Sequence, residues 1–486
     1  MSQFSRRRFL SAGAALSLTG AGALALPRRA RSQDANSTIR VGIVGVGWRG
    51  GQLLDEIRPL PGVEITGLCD ADAARSAEAA KKLPKAKVYD DMRRMFDDDS
   101  IDAVVIATCN HWHCLAALWA VEAGKDVYVE KPMSHRLWEG RQLIAAVKKH
   151  NRIVQVGTQQ RSDPLQDEVK DYLHGQRALG KIESVVIPRF GIRESIGKGD
   201  APLNPPATLN YNMWLGPAED EPIFRTNEFH YSWHWVWNTG DGECGNWGVH
   251  LLDDVVNVVL RDEHKLPDRA CAGGGRLVWN DAGETPNFQV AFLEAGGTPI
   301  LFALSNLPSA PGEKTPLRYD GVETGYVVHG EGGVYHGSRG RGTALDKDGK
   351  VMREFRGDSG GGHLANFFEA VRSRNPATLN APVEVGHSSA GWAHVINAAY
   401  RSAVAQDQNL DPPESAAHTV GYDELRPLMG GQLAAHGVSG ESQFRSSAML
   451  EIDVAAEQFT GPGAEGANIF LDKPPYRGEF VIPQQT

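Results

Sequence analysis

Residues 39–50 read IRVGIVGVGWRG, and this stretch decides the fold of the first domain. The run from Ile39 to Gly45 is short, apolar and followed by more glycines, which is typical of a buried strand in a parallel sheet. Gly45 permits a tight turn, Gly47 lets the backbone approach a pyrophosphate, and Gly50 lets the following helix pack closely. The free N–H groups at the start of that helix favour phosphate binding. The stretch therefore predicts a dinucleotide-binding strand–helix unit.

A second predicted strand, Val63–Cys69, ends at Asp70, 25 residues after Gly45. At this distance an acidic residue accepts hydrogen bonds from the ribose hydroxyls of adenosine and repels a 2′-phosphate. Asp70 therefore favours NAD over NADP as the cofactor. The alternative is that Asp70 caps the helix that begins near Asp72, and one residue can do both.

Strands and helices continue to alternate after Asp70. Further strands are predicted at 103–107, 126–129 and 153–156. Helical patterns lie between them, so the first domain is predicted to be a doubly wound parallel sheet.

The composition excludes several classes of protein. A chain of 486 residues has room for two or three domains. The 60 acidic and 50 basic residues give a net charge of −10, which argues against a nucleic acid as the main ligand. Five scattered cysteines do not form a disulfide scaffold. Past residue 30 no apolar run is long enough to predict a membrane span.

The first 32 residues are predicted to be a signal peptide. Residues 5–10, SRRRFL, match the twin-arginine export pattern, and the apolar stretch 11–26 follows. Residues 30–32 place small side chains at the −3 and −1 positions of a cleavage site. The alternative is a short buried helix behind a basic start. The export reading predicts a partnership with the twin-arginine machinery and a periplasmic or otherwise exported protein.

Several separated motifs resemble the Gfo/Idh/MocA family, named after glucose–fructose oxidoreductase and inositol dehydrogenase. Residues 107–115 read ATCNHWHCL and residues 123–132 read AGKDVYVEKP, which are similar to the family's T-P-x-x-x-H and E-K-P motifs. Cys109 stands where proline is usual. The resemblance continues at VGTQQR (156–161) and NWGVHLLD (246–253), and a tail at 468–477 is like that of a secreted bacterial branch.

The resemblance implies that Lys131 lies at the nicotinamide end of the cofactor and contacts the substrate hydroxyl. A lysine at the carboxyl end of a parallel strand does point into the crevice where such sheets bind ligands. Partial desolvation lowers the pKa of a lysine and suits it to acid–base chemistry. The alternative is a surface lysine. The predicted cofactor-binding residues are Gly45, Gly47, Trp48, Arg49, Gly50, Asp70, Thr108, Asn110, His113, Glu130 and Lys131.

Asn246, His250 and Asp253 are spaced i, i+4 and i+7, which predicts one helix face. The family commonly has aspartate at the first of these positions, and an amide cannot take a proton. Acid–base work is therefore assigned to Lys131 and His250 as the catalytic pair. The alternative for His250 is a core histidine with satisfied hydrogen bonds.

Residues 229–237, FHYSWHWVW, are unusually aromatic. Aromatic faces pack on the C–H faces of sugars, although a core strand or a subunit contact is an equal alternative. The guanidinium of Arg161 is expected either to hold substrate or to pair with an acid. The predicted substrate-binding residues are Arg161, Trp233, His234, Asn246 and Asp253. The sequence at 111–114, HWHC, lacks the second ligand cluster of a structural zinc site, so no metal is predicted.

The pattern changes after residue 156, which predicts an α+β domain with an open, mostly antiparallel sheet. Its strands are predicted at 181–190, 276–280, 288–293, 300–305 and 325–329, and helices at 363–374 and 387–404 close the domain. The predicted domains are thus 33–156 for the nucleotide-binding Rossmann domain, 157–404 for substrate and oligomer contacts, and 405–486 for a wrapping extension. The resemblance implies a dimer or tetramer through the face of the second sheet.

The sequence therefore predicts an exported NAD(P)-dependent oxidoreductase that acts on a sugar or cyclitol hydroxyl or carbonyl. Because free NAD is scarce outside the cytoplasm, we expect a tightly held cofactor, covered by the 33–38 segment and the extension after residue 405. One alternative is a redox-neutral glycoside hydrolase or lyase that passes through a keto-sugar. The known NAD-dependent glycosidases replace the lysine of E-K-P, so Lys131 weighs against that type. A non-catalytic sugar-binding protein is a third alternative, supported only by Asn246.

Overall fold

The computed structural model describes residues 38–226, 229–405, 419–438 and 444–485, so the predicted export signal lies outside the described residues. The first domain is a six-stranded, wholly parallel sheet in the order β3-β2-β1-β4-β5-β6. Its strands are β1 (Ile39–Val44), β2 (Val63–Cys69), β3 (Lys87–Tyr89), β4 (Ala103–Ile106), β5 (Asp126–Val129) and β6 (Val154–Val156). Its helices are α1 (Trp48–Ile57), α2 (Ala73–Lys82), α3 (Met92–Phe96), α4 (Asn110–Glu122) and α5 (Leu137–His150).

The central strands are mostly apolar because helices cover both faces of the sheet. Every residue of β4 and β5 is buried. The doubly wound parallel sheet predicted from the sequence is thus confirmed. Only the short edge strand β3 was missed, since three residues at a sheet edge carry too little pattern to recognise.

The second domain is built on a twelve-stranded sheet. Its strands are β7 (Ile182–Phe190), β8 (Arg269–Gly275), β9 (Phe288–Ala295), β10 (Thr298–Ser305), β11 (Tyr326–Gly330), β12 (Gly333–Ser338), β13 (Arg341–Asp346), β14 (Val351–Arg356), β15 (Val404–Ala405), β16 (Arg445–Ser446), β17 (Leu450–Asp453) and β18 (Gln458–Thr460). All of its strand pairs are antiparallel except β7 with β10, which confirms the mostly antiparallel prediction.

Helices of the second domain and the extension cover this sheet and reach the first domain. They are α6 (Pro164–Lys170), α7 (Tyr211–Leu215), α8 (Val249–Val258), α9 (His363–Ser373), α10 (Val383–Ser402), α11 (Tyr422–Ala435) and α12 (Ala464–Asn468). Helix α9 packs its apolar face into the core of the parallel sheet. Within the described ranges, no helix is both long and apolar enough to cross a membrane.

The strand predicted at 276–280 is wrong, since this stretch is irregular and the strand is β8, immediately before it. The sequence of β8, RACAGGG, ends in three glycines, which have low strand propensity. Strands β12–β14 were missed because their sequences mix glycine and charged residues with apolar ones.

The two faces of the second sheet are covered by different parts of the chain. Ile187 and Phe302 pack in one cluster with α8 and α10, whereas their strand neighbours Val186 and Leu301 pack in another with α11. Alternate residues of a strand point to opposite faces, so α11 lies on the face opposite α8 and α10. The face that was expected to make oligomer contacts therefore carries a helix of the chain's own extension.

Candidate active site

A cavity of about 960 Å³ lies at the carboxyl ends of the parallel strands. Its lining includes the residues that follow β1, β2, β4 and β5, namely Gly45, Asp70, Thr108 and Glu130. The second domain forms the opposite wall. All but three of the predicted site residues line this one cavity; the three outside the lining are Gly50, Arg161 and Asp253.

The glycine loop is shaped as the sequence predicts. Gly45 has a φ of +80°, and a Cβ there would lie 2.5 Å from the carbonyl oxygen of Ala107. A Cβ on Gly50 would lie 1.8 Å from the carbonyl oxygen of Gly45, so Gly50 serves close packing rather than the lining. A Cβ on Gly47 would meet only the guanidinium of Arg75, at 2.1 Å. Gly47 thus keeps backbone open to the cavity where α1 begins.

Asp70 lies in the lining with both carboxylate oxygens fixed by backbone. Oδ2 accepts a 2.9 Å hydrogen bond from the N–H of Val46, and Oδ1 accepts one of 2.9 Å from the N–H of Asp72. The cap of α2 is Asp72, whose Oδ1 accepts from the N–H of Ala74 at 3.0 Å. The capping alternative for Asp70 is therefore wrong, and its carboxylate borders the cavity.

Lys131 reaches across the cavity to the second domain. Its Nζ donates a 2.8 Å hydrogen bond to the backbone carbonyl of Asn246 and lies 3.4 Å from Asn246 Oδ1. Burial lowers the pKa of Lys131 to about 8, although the charge of Glu130 acts in the opposite direction. A lysine with this pKa can both give and take a proton near neutral pH.

The carboxylate of Glu130 is hydrogen-bonded to Arg49, the residue just before Gly50 of the glycine loop. Its Oε1 accepts a 2.8 Å hydrogen bond from Nε of Arg49. Burial alone would raise the pKa of Glu130, but the adjacent Arg49 and Lys131 charges hold it below its usual value. The carboxylate therefore stays ionised beside Lys131.

His250 projects from the first turn of α8 and is 6% exposed. Its ring meets Trp247 edge-to-face at 6.1 Å, and no hydrogen bond joins it to any residue in the described part of the chain. Burial and the charges of Arg339 and Lys131 place the pKa of His250 well below its ordinary value. The imidazole is therefore neutral at pH 7 and can accept a hydrogen bond from a ligand hydroxyl. A core histidine with satisfied hydrogen bonds does not fit this geometry.

Asn246 does not belong to the same helix as His250. It lies on a π-helical turn, Cys244–Gly248, which precedes α8 and changes the rotation per residue. Asn246 and His250 both line the cavity, but Asp253 does not. Its Oδ1 accepts a 2.8 Å hydrogen bond from Nε of Arg161. The prediction that all three share a cavity-facing side is therefore wrong for Asp253.

Arg161 forms ion pairs with acidic residues and also lies outside the cavity lining. Beside its bond to Asp253, the guanidinium pairs with Asp262 at 2.8 Å. The side chain is 5% exposed, and its two carboxylate partners leave little of it for a substrate. Of the two roles expected for Arg161, the structure shows pairing with acids.

The aromatic segment forms a turn that borders the cavity rather than a core strand. Trp233 and His234 lie in the 3₁₀ turn Ser232–Trp235, and their rings stack at 3.6 Å. Nδ1 of His234 lies 2.7 Å from the carbonyl oxygen of Tyr231. Burial lowers the pKa of His234 to about 3, so the ring is neutral and its other nitrogen is left as an acceptor.

The loop after β4 is braced by His113. Its ring nitrogens lie 2.7 Å from the carbonyl oxygen of Pro132 and 3.1 Å from that of Thr108. Asn110 donates a 3.0 Å hydrogen bond to Asp241 of the second domain. The loop is thus fixed to the Lys131 turn and to the opposite wall. Within the described residues, no group of three metal-ligating side chains is assembled.

Several lining residues were not predicted. Among them are the polar and aromatic residues Arg75, Gln159, Arg193, His230, Tyr231, Trp247 and Arg339. Four of them, Gln159, His230, Tyr231 and Trp247, lie inside stretches that the sequence analysis had already quoted. Arg339 lies in the turn between β12 and β13, two strands that the sequence did not reveal, so it had no distinguishing signal.

Comparisons with known proteins agree with this architecture. The Gfo/Idh/MocA oxidoreductase profile for the NAD-binding Rossmann fold matches residues 39–158, and that for the C-terminal α/β domain matches residues 195–275. A Klebsiella pneumoniae putative oxidoreductase has the same fold, with a TM-score of 0.53 at 18% identity over 81% of this chain and 100% of that one.

Two curated relatives from Saccharopolyspora erythraea match more closely in sequence. A glycosyl hydrolase family 109 protein is 36% identical over 163 residues, which is 28% of this chain and 36% of the relative. Inositol 2-dehydrogenase 2 is 35% identical over 145 residues, 29% of this chain and 42% of the relative. The match thus spans about two fifths of each relative's length. Residues 39–158 and 195–275 thus match the two domain models of the Gfo/Idh/MocA oxidoreductase family.

Proposed function

We propose that this protein is an NAD-dependent oxidoreductase that transfers hydride to or from the hydroxyl-bearing carbon of a sugar or cyclitol. The observation that carries the proposal is the shared cavity of the glycine loop, Asp70, Lys131 and His250. Binding of a dinucleotide needs the glycine loop and Asp70. Acid–base chemistry at a substrate hydroxyl needs Lys131 and His250. The relative named inositol 2-dehydrogenase 2 supports a polyhydroxylated substrate.

The cavity fits a nicotinamide dinucleotide on its own geometry. Gly47 lines the cavity without a side chain, and α1 begins there with backbone N–H groups that can hold a pyrophosphate. Asp70 presents a carboxylate for ribose hydroxyls, which favours NAD over NADP. Arg75, beside Gly47, is the side chain that would have to receive a 2′-phosphate in an NADP enzyme. NAD would supply the hydride acceptor or donor at the Lys131 end.

We assign transfer of the substrate hydroxyl proton to Lys131. In the oxidation direction its neutral amine takes the proton of the substrate hydroxyl, and in the reduction direction its ammonium returns one. The carbonyl of Asn246 fixes Nζ at 2.8 Å, so the amine is already positioned. The ring N–H of neutral His250 can donate a hydrogen bond to the oxygen of the same hydroxyl and orient it. Glu130, kept ionised by Arg49, limits how far the pKa of Lys131 falls.

We also propose that the cofactor is held through many turnovers and that the protein works after twin-arginine export. The signal that motivates export lies outside the described residues, so this part rests on the sequence. The described parts of the C-terminal extension do not line the cavity, and residues 33–37 lie outside the described ranges. The cover expected from the extension is instead supplied by another segment.

That segment is 192–231, here called the cover segment, of which 227–228 lie outside the described residues. It is fastened to the loop that follows Asp70. The carbonyl of Thr208 accepts a 3.0 Å hydrogen bond from the N–H of Ala73, and Asn210 donates one of 2.8 Å to the carbonyl of Ala71. His230 lies 2.8 Å from the carboxylate of Asp72. These contacts favour slow release of a dinucleotide beneath the segment.

A redox-neutral glycosidase is the second candidate, because one relative is named a glycosyl hydrolase family 109 protein. Both candidates need a retained cofactor, but they differ in product. Extensively dialysed full-length protein is assayed without added nucleotide on sugar donors, keto-sugar acceptors and glycosides, and the released nucleotide is identified by mass spectrometry. An oxidised sugar with a reduced acceptor supports the oxidoreductase, and a cleaved glycoside without net oxidation supports the alternative. Loss of all nucleotide on dialysis contradicts the retained cofactor.

A further inference from the structure

The reaction end of the cavity, around Lys131, is richer in positive than in negative side chains. Two carboxylates near this end, one in the lining and one behind it, are already paired with arginines. Glu130 is paired with Arg49 at 2.8 Å. Glu243 is fully buried and pairs with both Arg189 and Arg193. Two guanidinium groups thus share the one carboxylate of Glu243, while Lys131 adds further positive charge.

Arg339 adds a cation that has no acidic partner. It reaches the cavity from the β12–β13 turn, and its Nη2 donates a 3.1 Å hydrogen bond to Oε1 of Gln159. Its Nε is buried without a hydrogen-bond acceptor, and the guanidinium forms no ion pair with the described residues. The group lies 5.6 Å from the ring centre of Trp247, which holds it at the wall.

A nearby acid does not supply the missing charge. Asp254 is fully buried, accepts one hydrogen bond from Gln166 and leaves Oδ2 without a partner. Burial raises the pKa of Asp254 to about 8, so it is mostly protonated at pH 7. The charge of Arg339 is thus not neutralised by Asp254, and it lowers the pKa values of Lys131 and His250.

The phosphates of a dinucleotide belong to the other end of the cavity. They would lie at the glycine loop, beside Asp70, where the cations that act on the carboxylate are Arg75 and His230. Arg339 lies 5.6 Å from the ring centre of Trp247, and that ring contacts His250. The guanidinium therefore belongs to the Lys131–His250 end of the lining, where its terminal N–H groups are within the substrate's part of the cavity.

We propose that the substrate is a sugar acid whose carboxylate is bound by Arg339. One unpaired guanidinium matches one carboxylate charge, and its planar donors fit the two carboxylate oxygens. This inference deepens the proposed function and rests on it for the reacting hydroxyl. It narrows the substrate from any sugar or cyclitol to one that carries an acid within reach of the Lys131 end.

The test uses full-length protein with its own cofactor and matched pairs of ligands. D-Glucuronate, D-galacturonate and D-gluconate are compared with D-glucose, D-galactose and D-glucitol, and glucose 6-phosphate is added as a different anion. Binding is measured by calorimetry and turnover by product analysis. We expect at least one acid to bind about 10-fold or more tightly than its neutral partner, and less tightly as salt is added.

Two variants distinguish direct binding by Arg339 from the general effect of removing one positive charge from the protein. Arg339→Met should weaken binding of the acid by about 10- to 100-fold, the loss expected for hydrogen bonds between charged groups. Arg341→Met is the matched control, because Arg341 lies in the same hairpin, is exposed and is outside the cavity lining. It should leave binding unchanged. Equal effects of the two substitutions contradict the proposal.

The outcomes distinguish this inference from the proposed function. Acids that bind through Arg339 but undergo no hydride transfer support the inference and contradict the oxidoreductase. Neutral sugars turned over at least as well as acids support the oxidoreductase and overturn the inference. If no acid binds better than its neutral partner, or if glucose 6-phosphate binds best, the sugar-acid assignment is wrong.

Discussion

Replacing Lys131 by methionine tests the chemistry directly. The substitution keeps side-chain length and removes the ionisable group and the 2.8 Å hydrogen bond to Asn246. General acid–base groups contribute about 10²- to 10⁴-fold to turnover, so a loss of that size is expected. Cofactor content should stay normal, because the glycine loop and Asp70 are unchanged. Turnover is measured on the best substrate of the ligand panel, and nucleotide content by absorbance after denaturation.

The pH dependence gives a second readout of the same residue. Burial lowers the pKa of Lys131 from 10.5 to about 8. The neutral fraction of the amine then rises from roughly one tenth at pH 7 to roughly nine tenths at pH 9. Oxidation needs the neutral amine, so its kcat/KM should rise about 10-fold over this interval and level off. Reduction needs the ammonium, so its kcat/KM should fall over the same range.

Two further variants make the result interpretable. Lys131→Arg keeps a positive charge but does not deprotonate near pH 8, so the step in the pH profile should disappear. Lys148→Met is the control, since Lys148 is an exposed residue of α5 paired with Glu384 and lies outside the cavity lining. Near-normal turnover of Lys131→Met, or an unchanged pH step, would refute the assigned role.

Three further predictions concern the cofactor, the amide and the cover segment. Asp70→Ser should weaken NAD binding and relatively improve NADP, measured by nucleotide titration of stripped protein; a wild type that prefers NADP contradicts the assignment. Asn246→Asp should add a titrating group beside Lys131 and shift the pH–rate profile, whereas an unchanged profile places the amide away from the reacting centre. His230→Phe should remove the contact to Asp72 and speed nucleotide release in a stopped-flow exchange assay; an unchanged release rate would show that the cover segment does not retain the cofactor.

The first domain could be predicted almost strand by strand because its signals are local. Strands Val63–Cys69 and Asp126–Val129 have the predicted bounds, since each is a short, largely apolar stretch between polar or glycine-rich turns. Residues at the ends of such strands necessarily meet at one edge. Asp70 and Lys131 could therefore be placed in one cavity from their positions in the sequence.

The second wall of the site could be predicted only in part, because its residues come together through long-range pairing. Spacing along a helix assigns Asp253 to one helix face, but it does not predict that Arg161 donates a hydrogen bond to its carboxylate. Arg339 depends on a hairpin whose strands are partly polar and rich in glycine. Such strands form because they pair with neighbouring strands of the sheet. This pairing is long-range, so it cannot be predicted from the local sequence pattern.

Helix α11 covers part of the sheet that the resemblance implies for oligomer contacts. On the outer face of the second sheet, Phe292 and Leu301 pack against Leu425 and Met429 of α11. These helix residues are almost fully buried, so a second subunit could reach the sheet there only by displacing the helix and exposing its apolar side. The strands β12–β14 of the same sheet keep partly exposed residues. A homo-oligomer through the sheet face remains a prediction, and the extension after residue 405 covers only part of that face.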